Sequence, residues 1–395
     1  MSRSLWLLAL AQGLFLTNNV VFIAINGLVG IRLAPQSWMA TLPVMGYVVG
    51  GALSTGWVAV AQKRWGRQRS FQLGLLVALI SAGLCAAAVW LGSFWLLLTS
   101  TVFAGYYSAN GQLYRFAAAE LAEPAQREQA VSLVLAGGLL GAVFGPALAS
   151  HTRDWLPGLP FLGAYAALAG VALLSMGVMS QIRFEAAAAG AAPAAASSGL
   201  SGRSVAGLLR DPVFAVALLC SALSYGVMNL LMAATPLAMD VCAMPFSDMA
   251  AVLQWHVIGM FAPGFFTGRL IRRFGALKVM GAGVVLNLAC IGVALTGQGL
   301  GQFELALTLL GVGWNFLFTG ATTLSMSAYR PEEKDRAQAA INRAVFATMA
   351  LTSFASGAIV TTGGWNWLNL GSVVPVIVMA AALIALVRHR ARVSA

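Results

Sequence analysis

The loop Lys63-Arg64-Trp65-Gly66 recurs 209 residues later as Arg272-Arg273-Phe274-Gly275. Two further matches share this offset: Arg127-x-Gln129-Ala130 with Arg336-x-Gln338-Ala339, and Gly111 with Gly320. Independent matches at one offset indicate an internal duplication, which many helical membrane folds contain. The sequence therefore predicts two related halves, residues 1–184 and 210–395.

The segment between these halves, residues 185–209, has a different composition. From Glu185 to Ser204 it is rich in Ala, Gly, Ser and Pro, and Leu200 is its one large apolar residue. Such a composition cannot build a packed core. We expect a flexible cytoplasmic linker.

Hydropathy decides the fold class. The 395 residues are 59% hydrophobic and 9% charged, and their mean hydropathy is +0.83. Apolar stretches of about 20 residues, the length that crosses a bilayer as a helix, recur along the chain. The sequence predicts an all-α membrane protein with twelve transmembrane helices in two pseudo-repeated six-helix bundles. The predicted spans are 5–30, 39–61, 71–92, 94–117, 130–150, 158–181, 212–239, 249–269, 277–297, 303–327, 338–362 and 368–387.

The net charge of +11 follows from membrane topology. With the N-terminus inside, all 23 Lys and Arg residues except Arg32 and Arg153 fall in cytoplasmic segments or at their membrane edge. This asymmetry is the positive-inside pattern of membrane proteins. It predicts that both termini are cytoplasmic and gives no reason to expect nucleic-acid binding.

A family resemblance rests on two motifs in this framework. The loop Gly268-x-Leu270-x-Arg272-Arg273-Phe274-Gly275 and the fifth-span motif Gly141-x-x-x-Gly145-Pro146 resemble the major facilitator superfamily. The resemblance implies two bundles that rock around a central site near the bilayer midplane, with the first, fourth, seventh and tenth helices lining it. One departure concerns the acidic residue usual in that loop, which is Lys63 in one half and Arg272 in the other.

Soft potential ligands cluster in the seventh and eighth spans. Six of the 15 methionines lie between Met228 and Met260, and His256 lies among them. The pairs Met228-x-x-x-Met232 and His256-x-x-x-Met260 each place two side chains on one face of a helix. Thioethers and imidazole suit Cu(I), whereas Mg²⁺ or Mn²⁺ would require oxygen ligands.

Within the superfamily this arrangement resembles the CcoA-like copper importers of bacterial inner membranes. The resemblance implies Met228, Met232, His256 and Met260 as metal ligands and Cys220 and Cys242 as accessory thiols. It further implies Cu(I) as the transported substrate, no resident cofactor, a periplasmic or cytoplasmic copper chaperone as partner, and copper supply to cbb-type cytochrome oxidase assembly.

Other interpretations of the same residues stay open. Methionine is a common packing residue in helices, and His256 could bind substrate by a hydrogen bond or carry a proton, because ionisable residues inside membranes are usually functional. Five further residues could line the cavity or could instead make interhelical hydrogen bonds: Asn18, Asn19, Asn110, Trp314 and Asn315.

Two alternative functions are compatible with the sequence. A drug or organic-solute exporter of the same superfamily would use Trp255, Phe261, Phe265, Trp314 and the methionines as an adaptable apolar pocket. A membrane metal sensor or chaperone would bind copper without moving it. An enzyme is not expected, because the sequence offers no nucleophile with a base and no phosphate-binding loop after a strand.

Overall fold

The computed structural model describes residues 2–123, 126–184 and 202–394, and within these ranges it contains helices and no strands. The predicted linker falls largely outside them. Its described part, residues 202–209, holds a short helix. The chain divides into two compact units. In the described ranges the first contains residues 2–184 together with 239–254, and the second contains 202–238 and 255–394.

Helices α1 to α6 belong to the first unit. Their bounds are Arg3–Leu33 (α1), Leu42–Leu91 (α2), Phe94–Gly111 (α3), Tyr114–Glu120 (α4), Arg127–Thr152 (α5) and Leu162–Ser180 (α6), with a 3-10 turn at Ser37–Met39. Helix α2 covers all but the first three residues of predicted span 39–61 and the last residue of predicted span 71–92. It is interrupted at Gly66, whose φ of +80° is readily accessible to glycine.

Helix α7 is the short helix of the predicted linker, and α8 to α14 follow it. Their bounds are Val205–Leu209 (α7), Pro212–Val241 (α8), Phe246–Phe261 (α9), Gly264–Phe274 (α10), Ala276–Thr296 (α11), Leu300–Met326 (α12), Lys334–Thr362 (α13) and Gly364–Ser394 (α14), with a 3-10 turn at Pro331–Glu333.

Two predicted spans are each divided between two helices. Span 94–117 is divided between α3 and α4 where α3 ends at Gly111, a poor helix former. Span 249–269 is divided between α9 and α10, whose axes differ by 41°. Pro263 lies at this break, and it lacks the N–H that a continuous helix would require.

Nine helices of the described chain are long and apolar enough to cross a membrane, and the bent pair α9–α10 can make a tenth. The protein is therefore an all-α, multi-pass membrane protein. The count of twelve spans stays a prediction.

Glycines allow close helix packing in the first unit. A Cβ on Gly50 would lie 2.0 Å from the carbonyl oxygen of Val102, so α2 and α3 touch through their backbones. The face of α5 that carries Gly141 lies against α1, where a Cβ on Gly141 would come within 2.5 Å of the Leu16 Cβ. Small residues at such crossings are typical of membrane helices, which gain stability from close packing.

The hairpin between α8 and α9 belongs to the first unit through an aromatic and cationic cluster. Phe246 meets Phe161 edge to face, with ring centroids 5.4 Å apart. The Arg153 guanidinium carbon lies 5.2 Å from the Phe161 centroid and 5.5 Å from the Phe246 centroid. Arg32 lies 5.3 Å from the Phe161 centroid. Cation–π contacts therefore attach residues 239–254 to this unit.

The start of the second unit is attached to the loop between α12 and α13. Arg203 donates to both carboxylate oxygens of Glu333, at 3.0 and 2.9 Å, and its backbone N–H donates to the same carboxylate at 2.7 Å. Its guanidinium also donates to the Ala328 carbonyl at 2.7 Å. Glu333 has no exposed side-chain surface. This charged attachment holds the chain at residue 203 against the second unit.

Candidate functional site

Four aromatic rings from three helices meet in the second unit. Trp314 and Phe318 of α12 stack with an interplanar angle of 7° and centroids 5.4 Å apart. Tyr225 of α8 meets them edge to face, at 5.0 Å from Trp314 and 4.8 Å from Phe318. Phe261 of α9 lies 6.3 Å from Trp314. These distances and angles are those that aromatic pairs favour, and we call the four residues the aromatic group.

Members of the aromatic group differ in exposure. The Trp314 side chain lies at the centre and is only 6% exposed, whereas Tyr225, Phe261 and Phe318 are half-buried. Each outer ring therefore keeps surface that another flat molecule could contact. The indole Nε1 of Trp314 is buried and has no hydrogen-bond partner within the described residues.

His256 joins two helices. It is fully buried on α9, and its Nδ1 lies 2.7 Å from the carbonyl oxygen of Leu307 on α12, so Nδ1 is assigned as the donor. Its Nε2 has no partner in the described part of the chain. The two helices approach closely at this level, because a Cβ on Gly311 would lie 2.4 Å from the His256 carbonyl oxygen. One ring nitrogen therefore has a structural role and the other is not used by the fold.

Asn315 bonds to both sides of the Pro263 break. Its Nδ2 donates to the Met260 carbonyl of α9 at 2.8 Å, and its Oδ1 accepts from the Thr267 hydroxyl of α10 at 2.7 Å. The position was predicted either to line the cavity or to make interhelical hydrogen bonds. It makes the second kind of contact.

Asn18, Asn19 and Asn110 lie in the first unit. Asn110 is buried, accepts from the Ser70 hydroxyl of α2 at 3.2 Å, and donates to the Tyr106 carbonyl at 3.0 Å. Asn18 is buried, and Asn19 is half-buried with an Oδ1 that has no partner in the described residues. Asn110 therefore joins helices, and a role for Asn18 or Asn19 in lining a cavity stays a prediction.

The sulfur-bearing candidates are mostly buried. Met228 and Met232 of α8, Met260 of α9 and Cys220 of α8 are all buried, and Cys242 is half-buried. No group of three or more His, Cys, Asp or Glu side chains that could hold a metal occurs among the described residues. The helix that carries Met228 is held to α13 by Asn229, whose Nδ2 donates to Ser353 at 2.8 Å and Thr352 at 3.0 Å.

The apolar pocket of the alternative exporter hypothesis is placed only in part. Phe261 and Trp314 come together in the aromatic group, but Trp255 and Phe265 are 51% and 55% exposed and do not appear in it. The sequence analysis missed Tyr225 and Phe318. The second could have been found, because Trp314 and Phe318 are four residues apart and so share a helix face.

Comparisons with known proteins give the class of this molecule. A model of the Major Facilitator Superfamily matches residues 217–395. The riboflavin transporter RfnT of Brucella anthropi is 36% identical over 367 residues, which cover 93% of this chain and 91% of that protein. The MFS-type transporter YddS of Bacillus subtilis is 26% identical over 85% of this chain and 80% of its own length. The chain therefore belongs to the major facilitator superfamily and is a membrane transporter, not an enzyme.

Solved structures show the same fold. The nucleoside transporter NupG matches 97% of this chain and 98% of its own with a TM-score of 0.72 at 11% identity. A bacterial homologue of the iron transporter ferroportin matches 98% and 99% with a TM-score of 0.67 at 16% identity. Identities this low support the fold alone.

The prediction of copper import is wrong. A relative similar over nearly the whole chain carries riboflavin, an organic molecule. The sequence signal misled because pairs of Met and His four residues apart arise equally where buried helices pack, and His256 does hold α9 to α12. Three further predictions depended on copper import and lose their basis with it. They are the copper ligands Met228, Met232, His256 and Met260, the accessory thiols Cys220 and Cys242, and a copper chaperone as partner.

Proposed function

We propose that this chain transports riboflavin, or an organic solute with a similar flat fused-ring system, across a bacterial cytoplasmic membrane. The observation that carries the proposal is the 36% identity to a riboflavin transporter over 93% of the chain. The aligned 367 residues extend over both predicted halves of the chain. The aromatic group supports the same substrate class, because stacked and edge-to-face rings are suited to contact with another flat ring.

The proposed mechanism is alternating access. Residues 1–184 and 210–395 act as two bundles joined by the segment 185–209, and they expose a midplane site to one side of the membrane at a time. We place both termini in the cytoplasm, because this orientation leaves only Arg32 and Arg153 of the 23 Lys and Arg residues on the external side of the membrane. Reporter fusions at the C-terminus and in the loop at residues 154–160 test this orientation, and a reporter active outside the cell at the C-terminus would contradict it.

Transport of riboflavin is tested in a riboflavin-auxotrophic bacterium that expresses the chain. We expect growth at a riboflavin concentration that does not support cells with the empty vector, and faster accumulation of radiolabelled riboflavin. Purified protein reconstituted in liposomes, with substrate placed inside or outside, gives the direction of transport. Equal accumulation with and without the chain, at verified membrane expression and in both liposome arrangements, would contradict the proposal.

A further inference from the structure

We propose that the aromatic group is the site that recognises the flat ring system of the substrate, with Trp314 Nε1 donating a hydrogen bond to an acceptor on the ring edge. The inference rests on the proposed function and adds the position of the ligand and the chemistry that selects it. The substrate class is an aromatic heterocycle that carries a ring carbonyl or an unprotonated ring nitrogen.

The first step of the argument concerns the unused donor. An indole N–H can only donate, and a donor that is buried without an acceptor destabilises the fold. The other deeply buried tryptophan, Trp365, meets this requirement: its Nε1 donates to the Ala294 carbonyl at 3.2 Å. Trp314 Nε1 has no such acceptor in the described chain. A bound ligand that supplies an acceptor would remove this cost.

The second step concerns the rings around that donor. Tyr225, Phe261 and Phe318 come from different parts of the chain and surround one indole at centroid distances of 5.0, 6.3 and 5.4 Å. Their partial exposure leaves ring surface for a further stacking partner. A flat ligand that lies against these rings gains aromatic contact, and the hydrogen bond to Trp314 fixes its orientation within the plane. Contact area and orientation together discriminate heterocycles from plain hydrocarbons.

The third step is that the fold does not require a tryptophan here. The internal repeat places Gly105 at the corresponding position of the first half, 209 residues earlier. At that position the helices touch through their backbones, since a Cβ on Gly105 would lie 2.3 Å from the Gly51 amide nitrogen. A six-helix half can therefore pack with glycine at this position, and the indole is an addition specific to the second half.

The test measures ligand binding to the purified full chain by equilibrium dialysis. The probes are riboflavin and lumiflavin, which has the same ring system with a methyl group in place of the sugar alcohol. The variants are Trp314→Phe, which keeps an aromatic ring and removes the N–H, and Phe318→Leu, which removes one outer ring. Trp365→Phe is the matched control, because it deletes a buried indole N–H outside the aromatic group. The Tm of each variant reports on folding.

We expect Trp314→Phe to weaken the binding of both probes about tenfold, the effect of one lost hydrogen bond in a buried site. Phe318→Leu should weaken both about fivefold, and Trp365→Phe should leave both unchanged. Wild-type affinity in folded Trp314→Phe and Phe318→Leu overturns the proposed site while the proposed function stands. The same holds if riboflavin binding falls but lumiflavin binding does not. A wild-type chain that binds neither probe overturns both proposals. If Trp314→Phe does not fold, Phe318→Leu decides.

Discussion

By the 209-residue offset of the predicted repeat, the helix pair α2–α3 corresponds to the helix pair α9–α12, yet the two pairs differ in their contacts. Gly50 and Gly259 correspond by the 209-residue offset, and both allow a neighbouring helix to approach. One turn before each glycine the residues differ: Tyr47 in the first half corresponds to His256 in the second. The positions that allow packing are alike, and the positions beside them have diverged.

The same difference appears in one backbone carbonyl. The Leu98 carbonyl of α3 accepts from the hydroxyl of Thr101 in its own helix at 2.8 Å. Its counterpart in the second half, the Leu307 carbonyl, accepts from His256 of another helix at 2.7 Å. Position 310, which corresponds to Thr101, is a leucine and has no hydroxyl. Corresponding positions of the predicted repeat thus satisfy the same carbonyl in two different ways, once within a helix and once between helices.

The largest effect is expected where the two halves are alike. Gly50→Ala would place a Cβ 2.0 Å from the Val102 carbonyl oxygen, and overpacking of this kind costs about 3 kcal/mol. Gly259→Ala should cost about 1 to 2 kcal/mol, because its Cβ would lie 2.9 Å from the Thr308 carbonyl oxygen. The Tm of the purified protein measures both. Gly83→Ala, in the same helix with no atom within 4 Å, is the control. Equal Tm values for Gly50→Ala and Gly83→Ala would show that α2 and α3 do not touch as described.

The second prediction compares the ion pairs on the loops of the two halves. Glu120 pairs with Arg67 in the first half and is 58% exposed, whereas Glu333 pairs with Arg203 in the second and has no exposed side-chain surface. Glu333→Gln should therefore lower the Tm several-fold more than Glu120→Gln. Exposed pairs contribute little, whereas the Glu333 carboxylate is buried and accepts three hydrogen bonds from Arg203. Thermal unfolding of the two variants in the same detergent decides it. Equal decreases in Tm would contradict the burial of the Glu333 carboxylate.

The third prediction concerns Asn315 and the Pro263 break. The corresponding residue to Pro263 in the first half is Ser54, where α2 is continuous, and the counterpart of Asn315 is Tyr106. Asn315→Ala should cost about 1 to 2 kcal/mol, since it removes hydrogen bonds to both Met260 and Thr267. If the amide replaces the helical hydrogen bond that the Met260 carbonyl lacks at the break, Pro263→Ser, which favours a continuous helix, should reduce this cost. A double-mutant cycle in Tm measures the coupling, and strictly additive effects would argue against compensation.

The smallest effect is expected for the interhelical bond of His256. His256→Phe removes the donor to Leu307 and should cost about 1 kcal/mol, within the range of single interhelical hydrogen bonds in membranes. Thr101→Val, which removes the donor to the corresponding Leu98 carbonyl within its own helix, should cost less. Thermal stability is again the measurement. Riboflavin uptake by the folded His256→Phe variant should persist, and its complete loss at normal expression would give His256 a direct role in transport.

The sequence predicted the architecture well because hydropathy reports burial in a bilayer directly. The sequence did not locate the helix breaks. Averaging the hydropathy over about 20 residues makes 249–269 one apolar span, although it contains Pro263, where the structure has a break. The site was harder to predict for a different reason. Met and His residues spaced along a helix give the same sequence pattern whether they bind a ligand or pack against another helix. Only the structure shows that His256 is hydrogen-bonded to Leu307. The aromatic group joins residues 225, 261 and 314, whose separation in sequence reveals nothing about their contact.

The amide of Asn315 also has a mechanical consequence. Asn315 is hydrogen-bonded to Met260 before the bend and to Thr267 after it. One side chain of α12 therefore bridges the bend between α9 and α10. Straightening the 41° bend between α9 and α10 would strain these two hydrogen bonds, so we expect α10 and α12 to move together. Trp314 is the residue next to Asn315 on α12. A movement of α9 and α10 would therefore rotate or shift α12 and with it the Trp314 ring of the aromatic group.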